Sequence, residues 1–197
     1  MNTQILSNVR QVTLYLLIVM TGLYAGLHFA GVLAPVQNKM SVTEYTFYWQ
    51  IVDGYMGQRM PIFGMIFLAL FALNLLLFIK KWKTTTFWII IIGLVLLLSD
   101  MILTAKQQIP INQYIQSVDA KNLTTHQLTT LGRMKEQAES NFGTRDMLSI
   151  VSFALLSLTP FLLSRPRRKD NEADGWDYWV LDGNFEDKWE KENIKSS

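Results

Sequence analysis

No cysteine occurs among the 197 residues, which excludes disulfides, thiolate metal sites, thiol nucleophiles and cysteine-ligated haem. Histidine is nearly as scarce. His28 and His126 are the only two, and neither stands in an HxxxH or ExxH spacing, so the expectation is no metal and no cofactor. Net charge is also small, at +2, and it hides an uneven distribution. Residues 170–197 hold nine acids against Lys188, Lys191 and Lys195, so they carry −6 and the rest of the chain +8. An acidic tail on a nearly neutral chain argues against nucleic acid as a partner. There is no internal repeat and no low-complexity tract.

Long apolar runs dominate what is present. Residues 12–34, 61–79, 86–105 and 147–164 are each mostly apolar. A hydrocarbon core about 30 Å thick needs around 20 such residues at about 1.5 Å rise each, so each run is long enough to cross a bilayer. The expected fold is therefore all-α, a four-helix transmembrane bundle with short helices in its two outer loops and a polar C-terminal tail. The domain division expected is a four-span membrane domain, residues 1–169, and an acidic tail containing aromatics, residues 170–197. Arg10 precedes the first run, but that run exceeds the usual h-region of about 7–15 residues and has no clear A-x-A site. It is read as a retained span.

Orientation follows from lysine and arginine. Lys80, Lys81 and Lys83 sit between the second and third runs without an acid, and Arg165, Arg167, Arg168 and Lys169 follow the fourth. The positive-inside rule makes both segments cytoplasmic, with both termini inside a cell (inner) membrane and residues 35–60 and 106–146 outside. Prolines punctuate the plan. Pro35 closes the first span, Pro61 falls where a helix tolerates it in its first turn, Pro110 follows the third span, and Pro160 is expected to kink the fourth.

Within the outer loops, Ser41-Val42-Thr43-Glu44 is a capping box opening a short helix with Tyr45, Tyr48, Trp49 and Val52 at helical spacing. Thr124 or Thr125 caps a second helix, to about Asn141, that merges into or abuts the fourth span. The tail around Trp176, Tyr178, Trp179 and Trp189 has two readings: a solvated, disordered segment, or a docking peptide for a protein partner.

Ionisable groups inside spans are costly, which makes them functional candidates. His28 and Asp100 lie at a common depth, about 22–24 Å along their helices at about 1.5 Å per residue. A carboxylate beside an imidazole fixes its tautomer and raises its basicity, as a general base requires; the other reading is a buried structural pair. Thr104, one turn beyond Asp100, extends a polar stripe towards Gln107 and Gln108 that should face the interior. Gly22 and Gly26 suit close helix packing, and Asn74 suits helix–helix hydrogen bonding. Arg145 stands one turn from Asn141 at the threshold of the fourth span. It either binds an oxyanion or quinone oxygen or pairs with Asp146 or lipid phosphate.

These residues bring a family into view. Pro35, the Glu44-x-x-x-Tyr48-x-Gln50 loop, Pro61, the Pro110-Ile111-Asn112 triplet, Arg133 and Asn141-x-x-x-Arg145 together resemble the anthrone-oxygenase-like family of small four-span membrane proteins. The likeness covers about residues 10–164. It implies a cofactor-independent oxygenase that deprotonates an activated CH2 and lets the carbanion react with O2. By resemblance Asn112, Asn141 and Arg145 fall on the family's polar positions and Gln50 in its loop helix. The resulting expectation is an outward-facing cavity for a hydrophobic aromatic or quinone-like ligand. His28, Asp100 and Arg145 would be catalytic, and Gln50, Thr104, Asn112 and Asn141 substrate-binding. The competing class is a non-catalytic membrane subunit, surrounded by lipid, whose tail recruits a partner.

Overall fold

The structure is a computed structural model that describes residues 3–163; the basic cluster at Arg165–Lys169 and the tail lie outside the described residues. Among the described residues all regular structure is helical. They divide into two units, one reaching to Ser157 and another beginning at Leu158. The first unit contains α1 (Thr3–Leu33), α2 (Val42–Phe78), α3 (Thr85–Leu103), α4 (Ile109–Ser117) and α5 (Thr125–Ser157). The second unit contributes α6 (Thr159–Leu163). Four stretches are long and apolar enough to cross a membrane: Gln4–Lys39, Val42–Lys81, Thr85–Ser117 and Thr125–Leu163.

In the first unit α1 packs on α2, α2 on α3, α3 on α5 and α5 back on α1, closing a four-membered ring. Polar side chains report the antiparallel register of neighbours. The start of α1 meets the end of α2 through Arg10 Nε donating to the Leu77 carbonyl at 2.8 Å and Asn74 Nδ2 donating to the Thr13 carbonyl at 3.1 Å. Asn74 is fully buried and ties the two helices together, as a lone intramembrane amide does. Leu17, Phe67, Phe71, Ile90 and Leu156 fill the centre, while Tyr15, Leu23, Leu76, Val95 and Ile102 remain exposed. An apolar outside on an apolar inside is what lipid as solvent permits.

Gly93 sets the spacing of α3. A Cβ there would stand 3.3 Å from both Leu156 and Phe71, two side chains with no exposed surface to retreat into. Gly93→Ala is expected to cost about 1–3 kcal/mol as an overpacked core, read as a lowered unfolding midpoint in detergent.

The helices outrun the apolar segments at one end and build a second layer, here called the head. Its core is Tyr45, Trp49, Ile111, Ile115, Val118, Leu131 and Ala138. The Ser41 capping box is formed, with Ser41 N donating to Glu44 Oε2 at 2.7 Å and Glu44 N donating to Ser41 Oγ at 3.3 Å. The helix it opens does not stop before the span. It is the first part of α2, so Pro61 lies in a helix interior instead of a first turn. An interior proline costs about 3 kcal/mol, and burial of Tyr45 and Trp49 on one rigid helix offsets it.

At Pro110 too the chain stays helical. A π segment, Thr104–Gln108, joins α3 to α4 and absorbs the geometry that a proline without an N–H imposes. Around Pro160 the helical assignment does break, with α5 ending at Ser157 and α6 starting at Thr159. In the connection between α4 and α5, Asn122 Nδ2 and the Lys121 N–H donate to Asp119 at 2.8 and 3.0 Å. Those bonds hold its carboxyl below the ordinary carboxylate range.

Candidate functional site

Where the bundle meets the head, α1, α3 and α5 each deliver charged or polar groups to one buried cluster. Arg145 on α5 donates through Nε to Asp100 Oδ1 on α3 at 2.6 Å. Tyr24 on α1 donates its hydroxyl to Asp100 Oδ2 and accepts from Arg145 Nη2 at 3.4 Å. Asp100 is 2% exposed, so this three-way contact replaces the water a carboxylate loses on burial. Phe63 and Phe67 of α2 pack on the Tyr24 ring at 6.0 and 5.8 Å and close the fourth side.

His28 is the neighbouring member, and its partner differs from the one depth suggested. His28 Nδ1 lies 2.7 Å from Asp146 Oδ1, while Asp100 belongs to Arg145 and Tyr24. The cause is helical geometry. Arg145 and Asp146 are consecutive and so point about 100° apart, one towards α3 and one towards α1. The same fact removes the expected Arg145–Asp146 pairing. The Tyr24 ring meets the His28 ring edge-on at 4.7 Å, joining the two pairs into one cluster.

Gln50 and Asn112 lie elsewhere, in the head seam between α2 and α4. Asn112 Oδ1 accepts from Trp49 Nε1 at 2.7 Å and from Gln108 Nε2 at 2.9 Å, and its Nδ2 donates to Asp53 at 2.6 Å. Gln50 Nε2 donates to the Ile115 and Val118 carbonyls at 2.8 and 3.0 Å, satisfying carbonyls left free where α4 ends. Neither residue joins the ion cluster. Thr104 and Asn141 occupy the level between cluster and seam. Ser152 Oγ meets the Gly93 carbonyl at 3.5 Å and Arg145 meets Asp100, and this antiparallel register sets Asn141 opposite Thr104. His126 is exposed.

Sequence reasoning set Asp146 beside Arg145 instead of His28, placed both Gln107 and Gln108 facing inward where only Gln108 is buried, and passed over Asp53. Tyr24 was the most accessible signal, standing one turn from His28 on the same face.

Two cavities flank the cluster. One is a void of about 10 Å³ lined by Thr21, Tyr24, Phe67, Leu96, Leu97, Leu148, Ser149 and Ser152. The other is an open groove of about 490 Å³ along α3 and α5, lined by Leu96, Ser140, Gly143, Thr144, Met147, Leu148 and Val151. Leu96 and Leu148 are walls of both. Among the described residues no group of three acids or histidines is placed to hold a metal ion.

Fold and site together define a class: a four-helix bundle of membrane-spanning length with a buried, internally paired ion cluster at one end of its apolar layer. Comparison with protein-family models, with curated proteins and with solved structures finds no match.

Proposed function

We propose that this protein binds a hydrophobic aromatic or quinone-like molecule within the membrane and acts on it as the oxygenases it resembles do, without a cofactor. The observation that carries the reading is the Tyr24–Asp100–Arg145 and His28–Asp146 cluster, buried in an apolar bundle where such groups are expensive to maintain. His28, oriented through Nδ1 by Asp146, is the base that takes the proton from an activated CH2. Arg145, held by Asp100 and Tyr24, keeps N–H groups for the oxyanion of the enolate. The carbanion then forms a C–O bond with O2, and loss of the second C–H proton breaks the O–O bond of the resulting peroxide, giving the ketone and a hydroxide that leaves as water. The reaction balances as one methylene and one O2 giving one ketone and one water. The methylene carbon is oxidised, O2 is the oxidant, and both methylene hydrogens leave in the water. Thr104 and Asn141 contact the ligand's polar end, and the groove at the same height is the natural place for its apolar body. Gln50 and Asn112 support the site through the head and do not touch substrate.

The non-catalytic subunit is the second reading. It is favoured by the small size of the void at Tyr24 and by the internal pairing of every charge in the cluster. The test is oxygen uptake by the purified protein in lipid nanodiscs with an anthrone as the activated CH2 compound. Stoichiometric O2 loss and ketone gain support the enzyme reading, and no uptake above buffer supports the subunit reading.

A further inference from the structure

Hydrogen-bond direction can be followed along the head seam because two of its members have no choice. Trp49 Nε1 only donates, so the Asn112 atom 2.7 Å away is its oxygen. The Asp53 carboxylate accepts, so the Asn112 atom 2.6 Å from it is the amide nitrogen. Gln108 meets that same Asn112 oxygen at 2.9 Å and must therefore present its NH2. What is left is the Gln108 carbonyl, on a side chain 2% exposed, with no hydrogen-bond partner among the described residues.

It is not alone. Thr104 Oγ1, at the start of the same π segment, and Asn141 Nδ2, on a side chain 5% exposed, are also without a partner among the described residues. Buried polar atoms are nearly always paired. Tyr45 Oη and Glu139 Oε1 are the other two without a hydrogen-bond partner among the described residues, whereas Thr104 and Gln108 stand at the two ends of the π segment and the helix register sets Asn141 opposite Thr104. Asn141 supplies a donor, Gln108 an acceptor and Thr104 either.

We propose that Thr104, Gln108 and Asn141 form a binding position for a hydroxyl group, and that Gln108 selects a hydroxyl-bearing aromatic over a carbonyl- or ether-bearing one. A hydroxyl accepts from Asn141 and donates to Gln108 at once. A quinone or ether oxygen accepts from Asn141 and Thr104 but leaves the Gln108 carbonyl desolvated and unmet, the mismatch that polar sites reject most strongly. This inference rests on reading the protein as a binder of hydrophobic aromatics, and it narrows that ligand to the phenol class. Water carries the same hydroxyl chemistry, so the experiment separates the two sources.

The full-length protein in lipid nanodiscs is titrated with naphthol, methoxynaphthalene and naphthoquinone. Naphthol is expected to bind tighter than either acceptor-only analogue by on the order of tenfold, the cost of one unmet buried acceptor. Gln108→Leu, which removes the acceptor oxygen, should erase that preference. Equal binding of the three compounds to the unmodified protein overturns the selection and leaves the aromatic-ligand reading standing. Binding of none overturns both and assigns the position to water. A naphthol preference that survives Gln108→Leu in a protein with unchanged melting also overturns it. Because the first comparison uses the unmodified chain, a variant that fails to fold does not remove the test.

Discussion

Asp100→Ala is expected to destabilise the bundle by about 3–5 kcal/mol, because it leaves the largely enclosed Arg145 guanidinium without its carboxylate and takes away the acceptor of the Tyr24 hydroxyl. The effect belongs to the broken pair more than to any net worth of the pair itself. Arg145→Met should do similar damage by leaving Asp100 unpaired. The double variant should then be less destabilised than the sum of the singles, with a coupling on the order of 2 kcal/mol. Equilibrium unfolding in mixed micelles measures all three. A single-variant loss below about 1 kcal/mol would mean that the two side chains are not joined as described.

The second large effect concerns turnover. His28→Gln keeps a donor for Asp146 but has no titratable nitrogen, so the fold should melt near the unmodified protein while oxygen uptake falls by about 10²–10⁴-fold. Asp146→Asn leaves the imidazole in place and removes what orients it. Its expected loss is smaller, and it should change the pH profile more than substrate affinity, as expected of a positioning residue. Uptake unchanged in His28→Gln would remove the histidine from the reaction. No uptake by the unmodified protein would favour the subunit reading instead.

These two predictions draw on information of different origin. That His28 and Asp100 are unusual is visible in the chain, because each is a lone ionisable group in a run of apolar residues. That they share a depth also follows from counting, since rise per residue is nearly constant. Which groups they meet does not follow from counting. Facing depends on how each helix is rotated about its axis, and that is decided by packing such as Gly93 against Leu156 and Phe71. A rotation of α5 by one residue's worth, about 100°, would turn Asp146 away from His28.

The head illustrates the same division. The capping box at Ser41 and the apolar spacing of Tyr45, Trp49 and Val52 are legible, and both are formed in α2. Continuity through Pro61 was hidden, because the local rule against interior proline is outweighed only when distant residues from α4 and α5 bury the helix ahead of it. Asn112 enters as a site residue through the resemblance alone, and only the structure shows its place as the hub of a seam between α2 and α4.

By itself, then, the sequence determined the four apolar spans, the all-helical class and the short list of polar residues that such spans tolerate. Composition and period are local properties, and lipid-compatible length admits few alternatives. Tertiary structure decided which of those residues share a cluster, that Tyr24 and Asp146 complete it, and that Gln108 is left with an unmet acceptor. Each of those outcomes depends on the relative rotation and register of helices distant in the chain, set by the packing of all four at once.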